Sequence, residues 1–455
     1  MGDEYGGLGV GMTTGAGVDE QILRQLNGQH QDGGEDHHDR HDRGDPEAEF
    51  WNSRRALQHI RAFAYARLCS PWAVLGVVIL RVLHHIPPWV TLPPLIGGRG
   101  SLNLFAALSG PPGSGKGAAE TAAADAFDLH PDPVYTAAAG SGEGIAHQYA
   151  HHEKAKIVWD RKAVLFTSAE IDGLAALQSR QGSTLMPQLR SAFLGERLGF
   201  AYADPTRRIP MEAHSYRLGL IIGVQPERAA ALLDQSDGGT PQRFVWLPST
   251  DPGLVDDPLP APKPMVITAT RRSWNTGPGD VGGFLELSVP DEVKTAIRGA
   301  HVARTRGDGH ALDGHALFAR EKIAQALALL DERIDMDLVD WQLAGRIMTK
   351  SDHTRDLVVA RLRAKQETAE NERAKRDGKR AVIVAETVAS ADQQRVVNRM
   401  IDYLTRHGES ARSDVRRALR GPDRHLADQA LDQAIEAGVI VAEEARGGGQ
   451  RLRRG

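Results

Sequence analysis

The stretch Gly110-Pro111-Pro112-Gly113-Ser114-Gly115-Lys116-Gly117 constrains the fold more than any other part of this chain, because it demands a strand before it and a helix after it. Both flanks fit. Leu102-Asn103-Leu104-Phe105-Ala106-Ala107-Leu108 reads as a buried strand, and alanine-rich Ala118 to Phe127 reads as a helix whose positive end faces the loop. Glycines at this spacing let successive backbone NH groups turn inward on phosphates, and Lys116 adds a point charge near the β and γ positions. Residues 110–118 therefore predict a site for ATP or GTP, with Lys116 also a catalytic candidate.

One position departs from the motif. The residue after the lysine is ordinarily Ser or Thr, whose hydroxyl ligates Mg2+, and here it is Gly117. Ser114 lies inside the loop and Thr121 a turn into the helix, so neither restores that hydroxyl in its usual place. Nucleotide binding is better supported than hydrolysis.

Residues 1–46 are rich in Gly, Asp, His and Gln with almost no apolar periodicity, as in a solvated tail, and His37, His38 and His41 lack a regular ligand spacing. Trp72 to Leu80 is too short to span a bilayer and reads as a buried helix, no secretory pattern opens the chain, and Cys69 is the single cysteine. A cytoplasmic protein without membrane contact is the expectation. The net charge of -4 gives no global nucleic-acid pattern, so a DNA partner needs a local basic surface.

The division expected is a tail over 1–46, a helical lead-in over 47–98, an α/β core over 99–260, a helical subdomain over 261–350, a charged connecting helix over 351–391 and a terminal module over 392–455. Within the core, strands are expected near Pro133 to Ala138, at Ala163 to Thr167, at Leu218 to Val224 and at Arg243 to Leu247, with a helix over Gly144 to Lys154. This alternation argues for a mainly parallel sheet with its site at the carboxyl ends of the strands. Ser168-Ala169-Glu170-Ile171-Asp172 then offers Glu170 as the base that polarises water, with Ala169 where an aspartate usually supports magnesium and Asp172 as a substitute carboxylate. Gln225 is placed to sense a γ phosphate or to satisfy a loop backbone, and Arg243 to reach a neighbouring subunit's nucleotide or to form a structural ion pair. Arg180, Arg207 and Arg208 sit in loops whose composition suits a phosphate backbone, or solvent.

With the loop, the segments Glu170 to Leu174, Gly182 to Met186, Tyr202 to Thr206, Gly223 to Arg228 and Gly239 to Phe244 resemble the P-loop ATPase of actinobacterial phage and mobile-element replication proteins, related to the helicase half of primase-helicases. The likeness covers roughly residues 50–350. It implies a RecA-like or AAA-like ATPase that uses ATP with Mg2+, acts on DNA, assembles as a homo-oligomeric ring such as a hexamer, and works with a primase on a separate chain. Lys116 and Glu170 carry over by position; the magnesium-binding hydroxyl and aspartate do not.

At the end of the chain Val396 to Leu404, Ser413 to Leu419 and Arg424 to Ala437 read as three helices, followed by a hairpin around Gly447-Gly448-Gly449. That order predicts a winged helix, with Arg424 near the start of the third helix and Arg451 and Arg453 on the wing against DNA phosphates. A helicase-like DNA ATPase is the function expected. The alternatives are a nucleotide-gated DNA binder or loader that does not unwind, and a small-molecule kinase, for which the terminal module has no use.

Overall fold

The computed structural model describes residues 45–154, 156–178, 183–200, 208–234, 239–272, 274, 283–307, 315–445 and 448–455. The tail up to residue 44, with its histidines, and Arg180 and Arg207 lie outside the described residues. The chain divides into a unit ending at Ser53 and a unit beginning at Arg54. The first holds the helix Pro46–Asn52, begun by proline and capped by Asp45, whose carboxylate accepts from the Glu47 amide at 3.0 Å.

The second unit opens with helices α1 (Arg55–Ala66) and α2 (Pro71–His84), the latter apolar around its whole circumference and buried along nearly its full length. There follow β1 (Leu104–Ser109), α3 (Lys116–Ala126), β2 (Thr136–Ala138), β3 (Ala163–Ser168), α4 (Ile171–Gln178), α5 (Leu185–Leu194), β4 (Arg217–Val224) and β5 (Phe244–Pro248). The five strands form one parallel sheet in the order β2-β3-β4-β1-β5. The central strands read as unbroken apolar runs because helices cover both faces of such a sheet. The fold is therefore α/β, as expected from the alternation.

The helix expected over Gly144 to Lys154 is only partly formed. A helix covers Gly142–His147, capped by the Ser141 hydroxyl, and the chain then turns into an antiparallel hairpin pairing Ala150–Glu153 with Lys156–Trp159. Pairing with a segment further along the chain overrides local helical preference there.

Helices α6 (Asp291–Thr305) and α7 (Ala316–Leu330) lead into α8 (Leu338–His407), a single helix of 70 residues. It begins with a capping box between Asp337 and Asp340, and Arg333 clamps the buried Asp340 carboxylate through two hydrogen bonds of 2.6 Å. Its first third packs on the core, where Ser351 Oγ accepts from the Trp246 amide at 2.8 Å. Residues 363–391 are exposed on every side. The subdomain's last helix, the charged connector and the first helix of the terminal module are thus one continuous element.

The terminal module adds β6 (Ser410–Ala411), α9 (Arg412–Ala418), α10 (Ala427–Glu436), β7 (Ile440–Glu444) and β8 (Gln450–Arg454). The strands form an antiparallel sheet in the order β6-β8-β7. Val396, Met400, Leu404, Val415, Leu431, Ile440 and Leu452 bury a core distinct from the sheet above. No helix among the described residues is long and apolar enough to cross a membrane.

Candidate nucleotide site

Sheet register gathers the site. Ser109, the last residue of β1, pairs with Val224 on one side and Pro248 on the other, while Ser168 pairs with Ile222. The loop after β1, Glu170 after β3, Gln225 after β4 and Ser249 after β5 consequently emerge along the same edge.

The loop from Gly110 to Gly115 joins β1 to the first turn of α3. Its first amide donates to the Val224 carbonyl at 3.0 Å, which ties it to β4. Gly113 and Gly115 have φ of 76° and 78°, left-handed values that an L side chain adopts at a cost, so the turn requires glycine at both. Helix α3 starts without a side-chain cap and without an acidic residue in its first turn. Its free amides and dipole thus point into the loop and favour an anion.

The Lys116 amine donates to the carbonyls of Gly110 at 3.0 Å and Pro111 at 2.9 Å, and to Ser114 Oγ at 3.3 Å. Partial burial lowers its proton affinity, and the nearby Glu170 carboxylate opposes that shift. Gln225 donates through Nε2 to Glu170 Oε1 at 3.1 Å, bringing together two residues read separately from the sequence. Gly223 is needed here: a Cβ would meet the Ala169 carbonyl oxygen at 2.1 Å and Lys116 Cδ at 3.3 Å.

The carboxylates and hydroxyls that hold magnesium in related chemistry are differently engaged. Thr121 Oγ1 donates along its own helix to the Gly117 carbonyl at 3.4 Å. Asp172 lies on α4 and is ion-paired with Arg228. Among the described residues no group of three or more His, Cys, Asp or Glu side chains is arranged to hold a metal. The donor set suits an anion at the loop and offers a protein-held Mg2+ little, with Glu170 the only carboxylate facing Lys116 among the described residues.

Arg243 lies in a short turn before β5, 7% exposed, and donates to the Gly239 carbonyl at 2.7 Å. Burial, then the charge of Arg190, lowers its guanidinium to about 10. A group so enclosed reaches a neighbouring subunit only by leaving this position. Arg208 is exposed, and its carbonyl accepts from the His152 ring at 2.9 Å.

In the terminal module Arg424 stands before α10 rather than on it. Gly421–Asp423 form a separate 3-10 turn, and the Arg424 guanidinium reaches back to the carbonyls of Leu419 and Arg417. On the hairpin, Arg451 pairs with Glu409 and Arg453 with Glu443, both exposed. Exposed pairs of this kind are weak enough to exchange for phosphate.

Sequence reading missed Ser249. Its amide and hydroxyl both donate to the Ser109 carbonyl, at 2.7 and 3.0 Å, and its oxygen lies 2.6 Å from Ser114 Oγ. A lone serine after an edge strand carries no local pattern that marks it.

No protein-family model matches this chain, and no curated protein matches it.

Proposed function

We propose that this chain is an ATP-binding ATPase of RecA-like or AAA-like architecture that acts on DNA, in the manner of a helicase-like replication protein. The observation that carries the reading is the joined set at the sheet edge: a left-handed glycine loop, Lys116 at the mouth of α3, and Glu170 held by Gln225. The separation of the Glu170 strand from the loop strand by β4 supports the same class. In this reading the loop amides cradle the phosphates, Lys116 neutralises the β and γ groups, and Glu170 orients the attacking water. Mg2+ would accompany the nucleotide and lower the charge on its phosphates.

The terminal module, read as a winged helix, places Arg451 and Arg453 on a hairpin suited to duplex phosphates. Arg208 supplies a further exposed cation on the core. A ring of identical subunits and a primase on another chain belong to the proposal.

A second reading is favoured by Gly117, Ala169 and the Asp172–Arg228 pair: a nucleotide-gated DNA binder or loader without unwinding. Steady-state ATP hydrolysis with magnesium, with and without single-stranded and duplex DNA, separates the two. DNA-stimulated turnover lost in Lys116→Ala and Glu170→Gln supports the motor. Tight ATP binding with no turnover above background supports the binder, and no ATP binding at all overturns both.

A further inference from the structure

A cavity of about 460 Å3 lies at the opposite edge of the sheet from the phosphate loop. Arg99 and Gly100 come shortly before β1 and His214 shortly before β4, so the cavity opens at the amino ends of those strands, with α6 and α7 completing its wall. Its volume is within the range that encloses small organic ligands.

Three features distinguish it from a packing defect. The Glu321 side chain projects from α7 into the lining, 4% exposed, and its Oε1 has no hydrogen-bond partner among the described residues. An unsatisfied buried carboxyl oxygen is costly, and a ligand donor or acceptor in the cavity relieves that cost. His214, whose φ of 55° is left-handed, also presents a buried Nδ1 without a partner among the described residues. Finally, two arginines reach the lining with no carboxylate paired to either among the described residues. Arg99 stands at the exposed side over the Phe284 ring, and Arg304 Nη2 lies 2.9 Å from His301 Nδ1. The other lining carboxyl, Glu196, is exposed, as Arg99 is, while Arg304 is half-buried.

Ile297, Leu317 and Phe318 supply apolar walls between these polar groups. We propose that the cavity binds a small organic anion with a flat apolar body. Arg99 and Arg304 take the acid group, Phe318 and its neighbours take the body, and Glu321 exchanges a hydrogen bond with a polar atom at the buried end. Burial holds the Glu321 carboxyl protonated up to about pH 8, which makes it a donor near neutrality and keeps it from repelling the anion. The site is separate from the nucleotide loop and does not depend on the ATPase reading.

The test uses the full chain and 8-anilinonaphthalene-1-sulfonate, an aromatic sulfonate whose fluorescence rises on transfer to an apolar site. Gly98→Trp sets a bulky ring at the exposed rim of the cavity, where a Cβ meets nothing within 4 Å, and Arg304→Gln removes one cation while keeping a polar side chain. The expected result is one saturable site in the wild type, weakened about tenfold or more by Arg304→Gln, as loss of a charged hydrogen bond implies, and abolished by Gly98→Trp. Melting curves identify a variant that fails to fold, in which case the other variant decides. Lys116→Ala should bind the dye normally, and excess ATP should not displace it. Unchanged binding in the folded variants, displacement by ATP, or no saturable binding in the wild type overturns the proposal.

Discussion

Ser114 and Ser249 are 135 positions apart in sequence and 2.6 Å apart at their hydroxyls. Ser249 Oγ also lies within hydrogen-bond reach of the Ser109 carbonyl at 3.0 Å; where its proton goes there, Ser114 is the donor between the two hydroxyls, while Lys116 donates to Ser114. The chain of donors runs from the lysine through two hydroxyls to the end of β1. Ser249→Ala leaves Ser114 without its acceptor, at a cost of about 1 kcal/mol. ATP affinity should fall about fivefold, read by calorimetric titration, with a lower melting temperature in the same variant.

Gly223→Ala should disturb the site from behind. The added methyl would have to occupy space 2.1 Å from a backbone oxygen, which no side-chain rotation relieves. Overpacking of this kind costs about 1–3 kcal/mol, and it pushes the Ala169–Glu170 turn away from Lys116. Thermal unfolding should show the loss of stability, and ATP binding should weaken together with it.

Gln225→Ala separates positioning from binding. It removes the hydrogen bond to Glu170 but leaves the loop and Lys116 intact. Any hydrolysis should drop about tenfold or more, in line with loss of an orienting hydrogen bond to a charged group, while the ATP dissociation constant changes less than twofold. Equal losses in both would assign Gln225 to binding instead.

Glu321 should make stability fall as pH rises from 4.5 to about 8. Burial raises its carboxyl from 4.5 to about 8, so between those values the folded chain keeps a proton that the unfolded chain has released. The stabilisation is complete below 4.5 and lost by about 8. His84, His85 and His315, lowered chiefly by burial to about 3, 4 and 4, impose the opposite slope only below 6.5. Lys322, whose proton affinity burial lowers well below the usual lysine range, imposes the opposite slope, so the Glu321 effect is read as the difference between the melting profiles of the wild type and Glu321→Gln, which should fall with rising pH up to about 8.

Asp423 holds the terminal module together at its base. Its carboxylate is 3% exposed and meets Arg399 and Arg395, both about half exposed. Asp423→Ala leaves two cations that solvent still reaches, so the cost is about 2 kcal/mol, less than for a wholly buried pair. Hydrogen exchange on the full chain should rise across 396–454 and stay unchanged across the sheet.

The strand, glycine loop and helix around Lys116 were legible because they are contiguous, and the alternation of strands and helices announced a parallel sheet. Strand order was not, since it depends on which distant segments pair, and with it went Ser249 and the reason for Gly223. Arg424 was misplaced by one turn because Gly421 and Pro422 begin a separate 3-10 turn before α10. The connecting helix expected over 351–391 is helical throughout, but the reading cut it from its neighbours at 350 and 392, where the composition shifts between packed and solvated faces, although no proline interrupts the run.

That bare span makes the terminal module's heading a matter of arithmetic. Each residue of α8 advances the axis about 1.5 Å and turns it about 100°, so one residue inserted between 363 and 391 would swing the module's hairpin by more than a quarter circle about the axis with almost no change in reach. A seven-residue insertion nearly restores the original bearing about 10 Å further out. The helix thus sets compass direction and distance separately.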